Sequence, residues 1–340
     1  MVTPSMRRRA LALGGTGLAL GLGGCAADDL PQARPEAPGA TAGTATSSVL
    51  TPWLSITGGW RTDPQLPPQA TRPSGARLNF LQPVGVAAQG DVLLVADAAA
   101  RTLWRVDRGR DTMAAFAQFT GGGAEQGASM QLGNDFSAWV ALPAEHMVVQ
   151  YDVRGRIVRR WRDEANAPRP VAVAVPEDRR ELLVGDAGTA QVVVFDPLGR
   201  TLRLLAGRRG PELQSIGAMC FGPRGLYVLD RIAQQVVVFG PAGEVREIIG
   251  ENQLVQPRGL AVDRSGRVFV GDDMDQRIKV FRGAQLLASA GGAGGGPGRF
   301  GRIEALAVDG NLLYVADSVN ARVQVMLVAP QSMERPGAAP

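Results

Sequence analysis

The chain has 340 residues, with 36 Lys and Arg against 32 Asp and Glu, one His and two Cys. Its formal charge of +4 falls to +1 without residues 1–24, which carry three arginines and no acid, whereas a nucleic-acid binder carries a larger basic excess. A single imidazole excludes zinc sites built on two or three histidines, and two cysteines, one of them near the N-terminus, exclude a framework of structural disulfides.

Residues 6–25 read MRRRALALGGTGLALGLGGC. Three arginines precede an apolar, Gly-rich stretch that is too short for a membrane span and has the shape of a secretory signal, here residues 1–24. The small residues before Cys25 resemble the bacterial lipobox, whose Cys is diacylated and becomes the new N-terminus. Arg7-Arg8-Arg9 is compatible with twin-arginine export and with general secretion alike. Residues 26–48 are rich in Pro, Ala, Gly and Thr and lack aromatics. They cannot bury enough apolar surface to fold, so 25–50 reads as a lipidated Cys on a disordered tether. Residues 331–340 read as a disordered tail. Ala26, not Asp, follows the Cys. By resemblance to Gram-negative lipoprotein sorting, that implies an outer-membrane lipoprotein, facing the periplasm or the surface, with the lipid as its only membrane contact.

Beyond residue 50 one element recurs six times. A short apolar strand ends in an anchor residue, and a second apolar strand ends nine positions later. The anchors are Asp97, Leu142, Asp186, Asp230, Asp272 and Asp317, spaced 42 to 45 residues apart. LLVADAAARTLWRV (93–106) and LYVLDRIAQQVVVF (226–239) show the pattern, and AWVALPAEHMVVQY (138–151) keeps the spacing without the Asp. Another apolar run precedes each Asp unit: VGVAA (84–88), VAVAV (171–175), IGAMCF (216–221), RGLAVD (258–263) and EALAVD (304–309). A fourth run follows a Gly-marked turn, as in GEVREIIG (243–250). Four strands per ~40–45 residues is the arithmetic of a propeller blade. The fold class is therefore all-β, a six-bladed β-propeller over 51–330. The last unit lacks a fourth strand, and PWLSITGG (52–59) resembles the others' fourth strands, so this N-terminal strand is expected to close the ring. Cys220, in IGAMCF at the place of Val262, is expected to be a small buried apolar residue.

QPRGLAVDRSGRVFVGD…QRIKVF (256–281) and ALAVD…LLYVADSVNARVQV (305–325) resemble the NHL-repeat family of six-bladed β-propellers. The resemblance covers about residues 83–330 and in unit two survives only as spacing. It implies a fold that hosts scaffolds, lyases and lactonase-like relatives alike. The amidating-lyase branch uses several metal-binding histidines, which this chain lacks. Resemblance also implies that Arg277 and Arg322, five residues past their anchors, span to a neighbouring blade or to the turn.

Candidate chemistry is sparse. His146 falls in the AEHM turn and reads as exposed. No nucleophile motif accompanies it, and no catalytic residue is assigned. GGAGGGPG (291–298) lacks the Lys-Ser/Thr of a phosphate cradle and reads as a flexible loop. An Asp recurring at a strand end is expected to accept turn N–H groups. Asp272, Asp273 and Asp275 form the densest acidic group and the sole candidate for a cation, but the structural role is preferred, and neither a metal nor a cofactor is expected. A binding face is expected where the variable interblade connections gather, at 58–82 (with Trp60), 118–134, 162–170, 207–215, 251–256 and 290–302. Aligning the inner strands puts Val84, Val171, Ile216, Arg258 and Glu304 at one level near the channel mouth, with Arg258 and Glu304 as its polar corner. These features point to a lipid-anchored envelope scaffold or assembly factor that binds another envelope protein or a polysaccharide. The alternative is a lactonase-like hydrolase or lyase at the channel mouth. Direct nucleic-acid binding conflicts with export and near-neutral charge.

Overall fold

The computed structural model describes residues 49–63, 75–119, 128–178, 180–205 and 213–330. The signal segment, Cys25, the tether and the C-terminal tail lie outside these residues, as do parts of the connections at 58–82, 118–134 and 207–215.

Three strands, β1 (Leu50–Ile56), β2 (Gly58–Arg61) and β3 (Arg77–Asn79), precede blade one. Blade one is β4 (Pro83–Gln89), β5 (Val92–Asp97), β6 (Thr102–Asp107) and β7 (Thr112–Gln118). Blade two is β8 (Met130–Leu132), β9 (Ala138–Leu142), β10 (Met147–Tyr151) and β11 (Ile157–Trp161). Blade three is β12 (Pro170–Ala174), β13 (Leu182–Asp186), β14 (Val192–Phe195) and β15 (Thr201–Leu204). Blade four is β16 (Ile216–Gly222), β17 (Gly225–Asp230), β18 (Gln235–Phe239) and β19 (Val245–Ile249). Blade five is β20 (Pro257–Val262), β21 (Arg267–Asp272), β22 (Arg277–Arg282) and β23 (Gln285–Gly291). Blade six is β24 (Ile303–Asp309), β25 (Leu312–Asp317) and β26 (Arg322–Val328), with β1 as its fourth strand. All blades are antiparallel meanders, and each inner strand packs beside those of both neighbouring blades, β24 beside β4 included. The result is a closed six-bladed ring.

The apolar runs are nearly continuous because each blade is buried on both faces. In β17, Leu226 and Val228 face blade three, while Tyr227 and Leu229 face blade five. This is the period of two that strand geometry dictates. Six apolar clusters result, one at each seam between blades, in place of a single core.

The ring closes as expected, with one difference. β1 pairs antiparallel with β26, from Leu50↔Val328 to Ile56↔Val323. The next residues do not continue this strand. After Thr57 the chain crosses to blade one, where β2 pairs parallel with β7 and antiparallel with β3. The 58–82 connection therefore extends blade one to six strands. A second difference lies in blade two, whose inner strand β8 falls inside the 118–134 connection. It is only three residues long, with Gln131 at its centre. That amide pairs sideways with blade three, donating to the Val175 carbonyl at 2.8 Å and accepting its N–H at 2.8 Å.

Each anchor Asp is fully buried and holds two stretches of chain together. Asp230 accepts the N–H groups of Gln214 and Ser215, which lead into the blade, and those of Ile232 and Ala233 in the following turn. Asp97 does the same for Leu81, Gln82 and Ala100. The expected turn role is thus half of the arrangement, and the other half fastens the interblade connection. Four residues past every anchor the backbone is left-handed, at Arg101, His146, Ala190, Gln234, Gln276 and Ala321. Unit two keeps this turn although Leu142 replaces the Asp, through a 3-10 turn at Pro143–Glu145.

The Gly-rich stretch 291–298 is held in place. Arg322, bonded to its anchor Asp317 at 3.0 Å, donates to the carbonyls of Gly295 at 2.7 Å, Gly296 at 3.1 Å and Arg299 at 2.6 Å. Asn320 and Gln324 add bonds to Gly294 and Arg299. The stretch offers carbonyl groups to a guanidinium, the reverse of a phosphate cradle. Arg322 spans as expected. In blade five the counterpart is Lys279, not Arg277: its ammonium reaches Asp272 at 2.6 Å and the Gln253 carbonyl at 2.8 Å. Replacing Arg322 by Met should leave the Gly295 and Gly296 carbonyls without their donor and Asp317 without its cation, and cost about 3–5 kcal/mol, read as a lowered urea midpoint.

Candidate functional site

A channel runs down the axis, lined by inner strands from all six blades and enclosing a cavity of about 340 Å³. That is the lower end of the range for small-ligand pockets. Its wall is largely Ala, Val, Leu and Met, with Arg231, Arg258 and Glu304 together where the inner strands begin.

Strand pairing sets the level of each residue here. Opposite the anchors stand Pro83, Pro170, Ile216, Pro257 and Ile303. One step on, at a register shift common to all five strands, come Val84, Val171, Gly217, Arg258 and Glu304. Ile216 therefore belongs one level earlier than expected, and Gly217 takes its place. The same register makes Cys220 the counterpart of Ala261 instead of Val262, so it lines the channel half-buried.

Arg258 and Glu304 meet at 3.2 Å, as members of a larger network. Arg258 Nε donates to Asp273 Oδ2 at 3.0 Å. Arg302 Nε lies 3.4 Å from Asp273 and 3.2 Å from Glu304. The Arg258, Asp273 and Glu304 side chains are each at most 9% exposed. Burial pushes the Glu304 carboxyl above its ordinary range, against the pull of Arg258 and Arg302. Removing Arg258 would leave two buried carboxylates to the more exposed Arg302. Charge reversal there should destabilise the fold by about 3–5 kcal/mol, so it is a stability experiment before it is a binding one. Arg231, which no motif marked, completes the group. It follows anchor Asp230 as Asp273 follows Asp272, and that offset was the available signal.

The remaining candidates lie elsewhere. Trp60 is on β2, on the outer flank of blade one, where Arg77 stacks 6.0 Å from its ring. It is not part of the mouth. Asp272, Asp273 and Asp275 do not converge. Burial raises the Asp272 pKa, but Lys279 and the N–H groups of Gln256, Val255 and Met274 outweigh it and hold the carboxyl below its ordinary range. Asp273 turns to Arg258 and Arg302, and Asp275 is partly exposed, 3.9 Å from Lys279. Among the described residues no three His, Cys, Asp or Glu are grouped to hold a metal. His146 is exposed in its turn, with Nδ1 2.5 Å from the Pro168 carbonyl of the next connection. Burial pushes the Cys220 thiol up to about 12. In a C25A chain a thiol reagent should therefore label Cys220 slowly when folded and rapidly in urea.

No family model matches the chain, and no curated protein matches it. Among solved structures, a chain of Kuenenia stuttgartiensis hydrazine synthase is similar, with a TM-score of 0.51 and 12% identity, covering 75% of this chain and 98% of that one. At that identity the likeness concerns the fold alone. On strand order, ring closure and this likeness together, the chain is a six-bladed β-propeller.

Proposed function

We propose that this propeller is a lipid-anchored binding module of the cell envelope, a scaffold or assembly factor of the NHL-repeat type. Its partner is another envelope protein. The observation that carries this reading is the make-up of the channel mouth. Guanidinium and carboxylate groups stand on a rigid ring among variable connections, which is recognition chemistry. No activated nucleophile accompanies them among the described residues: the thiol of Cys220 is held protonated and the imidazole of His146 is spent on a turn. The lipobox-like run before Cys25 and the Pro- and Ala-rich residues after it supply the address and the reach.

The test has two arms. Cells fed radiolabelled palmitate should label the native chain and not C25A. A tagged chain, extracted from membranes in mild detergent, should retain a specific protein. A free monomer with no co-purifying protein would contradict the binding role, and an unlabelled native chain would contradict the anchor. One observation favours the hydrolase or lyase alternative: burial holds the Glu304 carboxyl at the mouth above its ordinary range, the direction in which a general acid is tuned. Turnover of a lactone panel that E304Q abolishes would establish it.

A further inference from the structure

The channel mouth carries one cation too many. Arg258 and Arg302 stand against the two carboxylates, Asp273 and Glu304. Arg231 is the third guanidinium, and among the described residues no hydrogen bond or ion pair engages its side chain. The nearest charges are those same four groups, two attracting and two repelling, and burial lowers the Arg231 pKa ahead of any of them. A half-buried cation without a partner is a costly feature to keep.

The fold makes room for it. Arg231 reaches the channel by lying across Gly217. A Cβ on Gly217 would stand 2.5 Å from both Cγ and Cδ of Arg231. Blades one and three have Val84 and Val171 at that level, and blades five and six have Arg258 and Glu304. Of these five inner strands, the one with no side chain there is β16, in the blade whose next strand, β17, ends just before Arg231.

We propose that Arg231, lying over Gly217 at the channel mouth, receives the C-terminal carboxylate of a polypeptide partner. This rests on the binding role proposed above. The excess of one charge fits a monoanion. Asp273 and Glu304 beside it disfavour a dianionic phosphate. The planar fork of a guanidinium matches a carboxylate in two parallel bonds. The cavity admits a narrow chain end, and its walls are sheet edges that offer backbone groups to an extended peptide. Among the described residues Phe221 is the sole aromatic lining it, a poor stacking platform for an acidic sugar.

The test is calorimetric titration of the full chain in mild detergent. The probes are acetyl-Ala-Ala-Ala with a free carboxylate, the same peptide as its amide, and trigalacturonate. The free acid should bind, and the amide should bind at least about tenfold more weakly. R231Q and G217A should each weaken the acid by about tenfold or more, the second by displacing the arginine. R231K should fall between them and the native chain, and thermal melts should show that R231Q stays folded. Equal binding of acid and amide, an R231Q affinity unchanged from native, no heat with millimolar acid, or tighter binding of trigalacturonate would each overturn the assignment. Protein capture from membranes separates the two levels. Capture that persists in R231Q removes the carboxylate role and leaves the binding role standing, whereas no capture by the native chain removes the binding role itself.

Discussion

A chain lacking residues 50–56 is expected to melt at least about 10 °C lower than the native protein, or to fail to fold. Without β1, blade six keeps three strands, and β26 becomes a bare edge on an otherwise closed ring. Leu50 and Ile56 are both buried, and each such side chain contributes about 1.5–3 kcal/mol on burial. The β1–β26 ladder and the cover over Val323 and Val325, both fully buried, are lost as well. A total on the order of 5 kcal/mol is a large part of what a domain has, and each kcal/mol is worth roughly 2–4 °C at this size. The exposed strand edge also invites association between copies. Scanning calorimetry with light scattering reads both effects, and a melt unchanged within about 2 °C would show that β1 does not close the ring.

The second large effect is expected from Asp230→Ala. Four backbone N–H groups, from Gln214, Ser215, Ile232 and Ala233, lose their acceptor at once. Each buried donor left unmatched costs about 1–3 kcal/mol. Partial hydration brings the expected loss to about 3–6 kcal/mol, larger than the effect of most single substitutions. Asp230→Asn keeps the shape and one acceptor oxygen and should lose about half as much. Urea unfolding gives the size. Hydrogen exchange gives the place, since those four amides should lose protection before those of Val236 and Val238 on β18. A loss below about 1 kcal/mol would mean that the carboxylate is not what joins connection to blade.

The parts of this fold that were plain in the sequence are those that repeat. A blade buried on both faces needs unbroken apolar runs, and an anchor that serves its own module recurs with the module. Hence Asp97, Asp186, Asp230, Asp272 and Asp317 could be placed, and with them the six blades. Features that occur once were harder to see. PWLSITGG reads as one strand because nothing in its composition marks Thr57 as the crossing from one blade to the next. The inner strand of blade two is three residues with a glutamine in the middle, and its pairing is partly through side chains. At the mouth, Arg258 and Glu304 could be aligned because their runs are regular. By residue type Ile216 aligns with the valines it resembles, although it faces Asp230 as Pro257 faces Asp272. That one-residue offset hid Gly217, and with it the arginine that Gly217 accommodates.

The chain enters and leaves the ring side by side, with the Ala329 N–H bonded to the Val49 carbonyl at 2.9 Å. From there β1 runs along blade six, and a single residue, Thr57, carries it onto blade one. Tension applied at Val49 therefore loads the outer strand pair of blade six, where rungs can yield one after another from Leu50 toward Ile56. The freed strand would stay tied to blade one through β2, held close to the groove it left. Such a fastener can open under strain and snap shut while the other five blades stay whole.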